Sequence, residues 1–356
     1  MKPAPKLLTR DQFREGVFAR DGHRCVALGD DGLRCQAAAA DAHHILERRL
    51  WTDGGYYLDN GASVCGRHHI EAEETRISCD DLRERCGITR LVLPEHLYRD
   101  QLYDKWGNPI LPNGMRMRGE LFGDESVRKI LAPMFDVFTN RVKYPRTYHL
   151  PWSPGVGKDD RIAHDLSHFE GQEVVVTLKM DGENTTMYRD RDGLHARSIS
   201  YDPHPSRDWV KALHGQIAHE IPDSWRICGE NLYARHSIHY RRLASYFQVF
   251  SIWDDLRCLD WRETVSYAGL LGLRVVPEIF RGTWDRVTMP AFLESTGRQL
   301  MLDGCGGDEC EGYVVRLASE FTYGAFRKSV AKYVRANHVQ THGHWMRSQV
   351  VPNEVL

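Results

Sequence analysis

Five of the nine cysteines, and two adjacent histidine pairs, fall within the first 90 of this chain's 356 residues. So short a segment closes only a small hydrophobic core, and thiols and imidazoles clustered there predict a unit held together by metal. The cysteine count is odd, and Met1 to Lys6 lacks the apolar stretch of a secretion signal. Reduced thiols or metal ligands are therefore expected rather than a disulfide framework, and a cytoplasmic location with them. Cys25, Cys35, Cys65 and His68 are the ligand types of tetrahedral zinc. The two-residue gap in Cys65-Gly-Arg-His68 lets one turn present both ligands. The wider spacing from Cys25 to Cys35 leaves buried thiols as the alternative. Cys79 and Cys86 bracket a helix begun by Ser78 and stopped by Gly87, and both read as core.

A second pattern overlaps the first: Asp41-Ala-His-His-Ile45, then Asn60 in Leu58-Asp-Asn-Gly61, then Cys65-Gly-Arg-His-His69. It resembles the HNH nuclease family, whose ββα-metal core sets two strands and a helix around one divalent ion. The resemblance implies that His43 binds metal, that His44 is the general base, that Asn60 holds the loop and orients that base, and that His69 is a second ligand. Glu73 lies four residues after His69, on the same face of a helix, and is the candidate third ligand. Phosphodiester hydrolysis suits such a set. It needs a proton acceptor that is neutral near pH 7 and a hard cation beside the phosphate. A unit that binds nucleic acid or a partner without cutting is the alternative.

Residues 91–142 are rich in Pro, Gly and aromatics and read as a connector with many turns and a short helix near Asp124 to Phe138. From residue 143 onward, short apolar runs alternate with turns. Strands are predicted at Val174 to Leu178, Thr185 to Tyr188, Leu194 to Ser198, Trp225 to Glu230, Tyr246 to Trp253, Glu311 to Leu317 and Ser329 to Val334. Helices are predicted near Arg207 to Glu220, Trp261 to Leu271 and Pro290 to Gln299. Strands and helices mix without regular βαβ alternation. The class is α+β with antiparallel sheets, divided into 1–90, a connector at 91–142, and 143–356. Forty-seven Lys and Arg against forty-nine Asp and Glu make any basic surface local. No apolar run reaches the roughly 18 residues of a membrane span, so no membrane partner is expected.

Lys179-Met-Asp-Gly-Glu-Asn184 follows one apolar run and precedes another. A lysine at such a turn can point into a cleft where nearby cations and desolvation depress its pKa, giving a neutral amine nucleophile. A solvated turn lysine is the alternative on this motif alone. Further along come Ile227-Cys-Gly-Glu-Asn231, Tyr246-Phe-Gln-Val-Phe-Ser-Ile-Trp253, Glu311-Gly-Tyr-Val-Val-Arg316 and Val330-Ala-Lys-Tyr333. With Lys179 and Arg197, these resemble the nucleotidyltransferase motifs of ATP-dependent RNA ligases over about residues 143 to 340.

The resemblance implies that Lys179 attacks the α-phosphorus of ATP and carries AMP. A 5′-phosphate then receives the AMP, and a 3′-hydroxyl displaces it to seal the strand. Lys332 neutralises the α-phosphate, and Glu311 binds Mg²⁺ or Mn²⁺. Glu230 contacts the ribose or orients the ends, and Arg197 holds phosphate. Asp181, Gly182 and Asn184 shape the turn and metal shell. Phe250 is the expected adenine-stacking residue, preferred over Phe247 because strand alternation puts one of them in the core.

Two positions depart from the family pattern: Leu178 where Glu is common, and Val330 where a first lysine is common, leaving Lys332 alone or helped by Lys328. RNA is the expected substrate rather than DNA, because only about two dozen residues follow Lys332, too few for an OB domain. The expected cofactors are ATP, Mg²⁺ or Mn²⁺, and Zn²⁺. A DNA ligase or repair protein, and a nucleic-acid-binding regulator with an inactive ligase fold, are the alternatives.

Overall fold

The computed structural model describes residues 6–157, 160–189, 194–196, 204–285, 287–295, 309–336 and 350–356. The chain separates into two compact units, Met1–Tyr144 and Pro145–Leu356. No helix among the described residues is long and apolar enough to cross a membrane.

In the first unit, helix α1 (Arg10–Arg20) begins at a Thr9 cap in which the Thr9 and Gln12 side chains each satisfy the other's backbone N–H. Strand β1 (Asp41–His44) pairs antiparallel with β2 (Gly61–Val64), and helix α2 (Gly66–Glu73) follows β2 directly. Helix α3 (Cys79–Arg85) starts where the Ser78 hydroxyl accepts from Asp81 N–H and stops at Gly87, whose φ of 65° is left-handed. Val26, Ile45, Leu46, Val64 and Leu82 form the core among these pieces.

The stretch expected as a connector carries a sheet of its own. Strands β3 (Leu102–Tyr103), β4 (Pro109–Ile110), β5 (Arg116–Arg118) and β6 (Phe138–Val142) pair in sequence order. Helix α4 (Glu125–Leu131), capped by the Asp124 carboxylate, packs beside them, and Trp106, Phe122, Val127 and Leu131 close a small core. Strands of two or three residues are too short to show alternation, which is why the sequence pattern hides them.

The second unit is built on two sheets. The first has the order β15 (Glu278–Thr283), β8 (Glu173–Lys179), β16 (Gly312–Leu317), β18 (Val330–Val334) and β7 (Tyr148–His149). The second runs β10 (Leu194–Ala196), β9 (Glu183–Met187), β11 (Trp225–Asn231), β12 (Phe247–Asp254), β13 (Arg257–Cys258) and β17 (Phe321–Thr322), with β14 (Arg274–Val275) parallel on β12. Antiparallel pairing dominates, and β7 on β18 is a further parallel contact. The β-branched run Val174 to Val176 is buried throughout, as a strand covered on both faces must be.

Helices α5 (Asp208–Ile217) and α6 (Trp261–Leu270) cover the second sheet through a core of Ile227, Phe247, Val249 and Ile252. Helix α7 (Thr288–Ser295) contributes Met289 and Leu293 to the other core, with Leu178, Trp261, Trp284 and Tyr313. A final short turn, α8 (Phe326–Ser329), leads into β18.

Between Lys179 and Glu183 the chain leaves the first sheet and enters the second, so the turn Met180 to Gly182 lies at their junction.

Candidate active sites

Lys179 is the last residue of β8, directly opposite Gly312 on β16. Glu311 precedes Gly312, and its Oε1 lies 2.5 Å from Lys179 Nζ. Glu230 enters from the other sheet, where it pairs with Asn184, and its Oε1 accepts the Gly182 N–H at 3.2 Å. A methyl group on Gly182 would stand 2.5 Å from the Asn231 carbonyl, so only glycine lets the turn approach β11 this closely. Asp181 closes the turn: its Oδ2 accepts from Ser237 N–H at 2.8 Å and Ile238 N–H at 2.9 Å, while its own N–H donates to Tyr240 Oη. The neighbouring Glu183 is held by both nitrogens of an Arg207 fork.

The electrostatics differ from the sequence expectation. Among the described residues, carboxylates rather than cations set the charge around Lys179. Burial opposes its charge, but Glu311, Glu230 and Asp181 outweigh burial and raise the amine above its ordinary pKa. Burial, reinforced by Glu311 and Asp181, pushes the Glu230 carboxyl up to about 8. The Lys179 amine is thus pushed toward its ammonium form against Glu311, while burial disfavours charge on the Glu230 carboxyl. The local motif could not reveal this, because both glutamates arrive from segments 51 and 132 residues away in sequence.

Lys332 lies on β18 two residues before Val334, which sits in the same row as Gly312 and Lys179. Lys332 and Lys179 thus share one face of the sheet. Phe250 is part-buried and packs against the Leu178–Trp261 core, whereas Phe247 is wholly buried in the other core. Leu178 itself is core. Arg197 and the histidines at 338, 342 and 344 lie outside the described residues.

In the first unit, one ligand atom each from Cys25, Cys35, Cys65 and His68 fall within 4.8 Å of one another. His68 Nδ1 is 3.2 Å from both Cys25 Sγ and Cys65 Sγ. Cys65 caps α2 and His68 occupies its first turn, so the helix start fixes that pair. Cys79 is buried, with Sγ on the Ile45 carbonyl.

A second set, His43, His69 and Glu73, also falls within 4.8 Å. Glu73 Oε1 is 3.5 Å from His43 Nδ1 and 3.7 Å from His69 Nε2. Both His43 ring nitrogens are buried without a hydrogen bond to any described residue, so the donor set His43, His69 and Glu73 fits a cation. Burial and the Lys105 ammonium keep His43 well below its ordinary pKa, so the neutral ring keeps one nitrogen lone pair free of a proton. Asp41 Oδ2 stands 3.7 Å from Nδ1, the other ring nitrogen of His69.

His44 does not join this set. Alternation along β1 sends it to the opposite face, stacked on Phe13 at 4.5 Å and edge-on to Tyr56. Burial holds its pKa at about 4. Asn60 accepts from Leu46 N–H and donates to the Leu46 and Gly55 carbonyls, so it clamps the loop and makes no bond to the His44 ring. Lys105 was not signalled by any motif. Its buried amine meets Glu73 at 3.0 Å, Glu47 at 3.3 Å and the His44 carbonyl at 3.1 Å.

Residues 172–334, which contain Lys179, Glu230, Phe250, Glu311 and Lys332, match the family model for RNA ligase. No curated protein matches the chain significantly. Among solved structures, an apo variant of Naegleria gruberi RNA ligase is 17% identical, with a TM-score of 0.37. That match covers 50% of this chain and 53% of the other, so this chain spans about half that protein's length. Naegleria gruberi RNA ligase with PPi is 17% identical over 81% of this chain and 74% of its own, with a TM-score of 0.41. A putative ATP-dependent DNA ligase from Aquifex aeolicus is 19% identical over 55% and 50%, with a TM-score of 0.36.

Proposed function

We propose that the second unit is an ATP-dependent RNA ligase working through a lysyl-AMP intermediate. One observation carries the reading: within the family-matched segment, the Lys179 amine sits at the junction of two sheets, 2.5 Å from Glu311. A surface lysine has no reason to be placed between buried acids. Lys179 is the nucleophile toward the α-phosphorus of ATP, with pyrophosphate leaving. Before attack, the ammonium must lose its proton. Glu311 is the nearest acceptor, and it is also the residue suited to hold Mg²⁺ or Mn²⁺. Such a cation supplies positive charge that disfavours the ammonium and balances phosphate oxygens. Lys332 faces the same surface and neutralises the α-phosphate. Phe250 offers a ring for the adenine, Glu230 and Asn184 border the ribose side, and the Asp181–Gly182 turn holds the lysine in register. AMP transfer to a 5′-phosphate and displacement by a 3′-hydroxyl complete sealing, each by positioning and charge neutralisation.

In the first unit, Cys25, Cys35, Cys65 and His68 form a structural zinc site, and His43, His69 and Glu73 hold a divalent ion in a ββα-metal arrangement like that of HNH nucleases. His44 turned onto Phe13, away from the ion set, favours a second reading for this unit: a platform that binds nucleic acid without cutting it.

Incubation with α-labelled ATP and Mg²⁺ or Mn²⁺ tests the ligase. Label should appear on the protein, be absent in Lys179→Ala, and pass to 5′-phosphorylated RNA in preference to DNA. A protein that takes no label is a regulator with an inactive ligase fold. Cleavage of plasmid or RNA that is lost in His44→Ala and His69→Ala establishes the nuclease, and no cleavage by the wild type leaves the platform.

A further inference from the structure

Lys332 does not wait unaccompanied on its strand. Its Nζ lies 3.4 Å from Asp160 Oδ1, a residue 172 positions earlier and outside every motif noted above. The other carboxylate oxygen, Oδ2, accepts the Gly157 N–H at 3.0 Å and faces His149 Nε2 at 3.3 Å. His149 is buried on β7, paired in register with Lys332 itself, and its Nδ1 lies 2.8 Å from Ser153 Oγ. Ser153 is tied to the same strand, since its Oγ accepts the Val334 N–H at 2.9 Å. Contact with the His149 imidazole, opposed by burial and aided by Lys332, keeps the Asp160 carboxyl below the usual range. Four side chains thus form a chain, Ser153 to His149 to Asp160 to Lys332, anchored at both ends on β18.

We propose that Asp160 is a positioning residue that parks the Lys332 ammonium until a nucleotide phosphate replaces it, so that nucleotide binding is an exchange of one anion for another. The proposal rests on the ligase reading of this unit. A lysine paired in this way is held by a carboxylate on the sheet face it shares with Lys179. The phosphate must displace the carboxylate, which weakens ATP binding by the strength of the pair. Asp160 is about a third exposed, so that strength is that of a partly screened ion pair, not a buried one. Removing the carboxylate charge removes that competitor for the amine.

The test compares wild type, Asp160→Asn and Asp160→Glu in self-labelling by ATP, with ATP affinity measured in parallel by calorimetry. Asp160→Asn should lower the KM for ATP and its dissociation constant roughly 2- to 5-fold, the range of an exposed to half-buried pair, and Asp160→Glu should restore both toward wild type. In a Lys332→Ala background the Asp160→Asn effect on ATP affinity should vanish, which a merely structural role for Asp160 does not predict. An unchanged or raised KM in a normally labelling Asp160→Asn protein, or an effect that persists without Lys332, overturns this inference alone. A wild-type protein that neither binds nor is labelled by ATP overturns the ligase reading and this inference with it.

Discussion

Glu230 and Lys179 are opposite charge types, yet both are pushed toward their protonated forms, Glu230 by burial and Lys179 by the carboxylates around it against burial. A carboxyl raised to about 8 from an ordinary 4.5 binds more protons folded than unfolded between those values. Stability contributed by its protonated form is present at low pH and is lost as pH rises through that window. Melting temperature of the ligand-free protein should therefore fall between pH 5 and pH 8, and Glu230→Gln should flatten the slope; an identical slope in the variant would remove Glu230 as its source. Lys179 acts in a higher window, because a raised amine contributes below its ordinary value and loses that contribution above it. The nucleophile and the acids were legible as residue types in their motifs. The sign of the lysine's shift was not, because it depends on which charges the fold brings within a few ångströms.

Two glycines decide whether the strands carrying this site fit together. A Cβ on Gly312 would land 2.0 Å from the Tyr333 carbonyl of the paired strand, where backbone must move rather than a side chain. Gly312→Ala should cost about 1–3 kcal/mol or more, read from the urea midpoint. Gly182→Ala pushes against the Asn231 carbonyl at 2.5 Å and the Glu230 side chain at 3.0 Å, so its labelling rate should fall further than its stability. Another element reaches the lysine turn from far away. Asn353, buried near the end of the described chain, accepts from Tyr240 N–H at 2.9 Å and donates to the Leu232 carbonyl at 2.8 Å, and the Tyr240 hydroxyl in turn accepts from Asp181 N–H. Asn353→Ala leaves those backbone groups unsatisfied, at a cost of about 1–3 kcal/mol by denaturant titration. Strands such as β8 and β12 were readable because β-branched or aromatic residues dominate them. This tail contact was not, since an isolated Asn carries no period.

At the scale of the molecule, two units each close their own core, and their dependence on metal should differ. If Cys25, Cys35, Cys65 and His68 hold zinc, a strong chelator should unfold the first unit, seen as a separate calorimetric transition that shifts to lower temperature. The transition of the second unit should stay in place, and labelling by ATP should return when Mg²⁺ is restored. A single transition unmoved by chelation would show that the thiols hold no metal. From the sequence alone came the ligand types, their local gaps, the strand runs and the order of motifs, because these depend on neighbours within a turn or a strand. Only the tertiary structure decided that His44 stacks on Phe13, that Lys105 meets Glu73, that Lys179 is bound by acids, and that Asp160 holds Lys332. Each of these joins residues tens to hundreds of positions apart, and electrostatic and packing energies are set by distance in space, which local sequence does not encode.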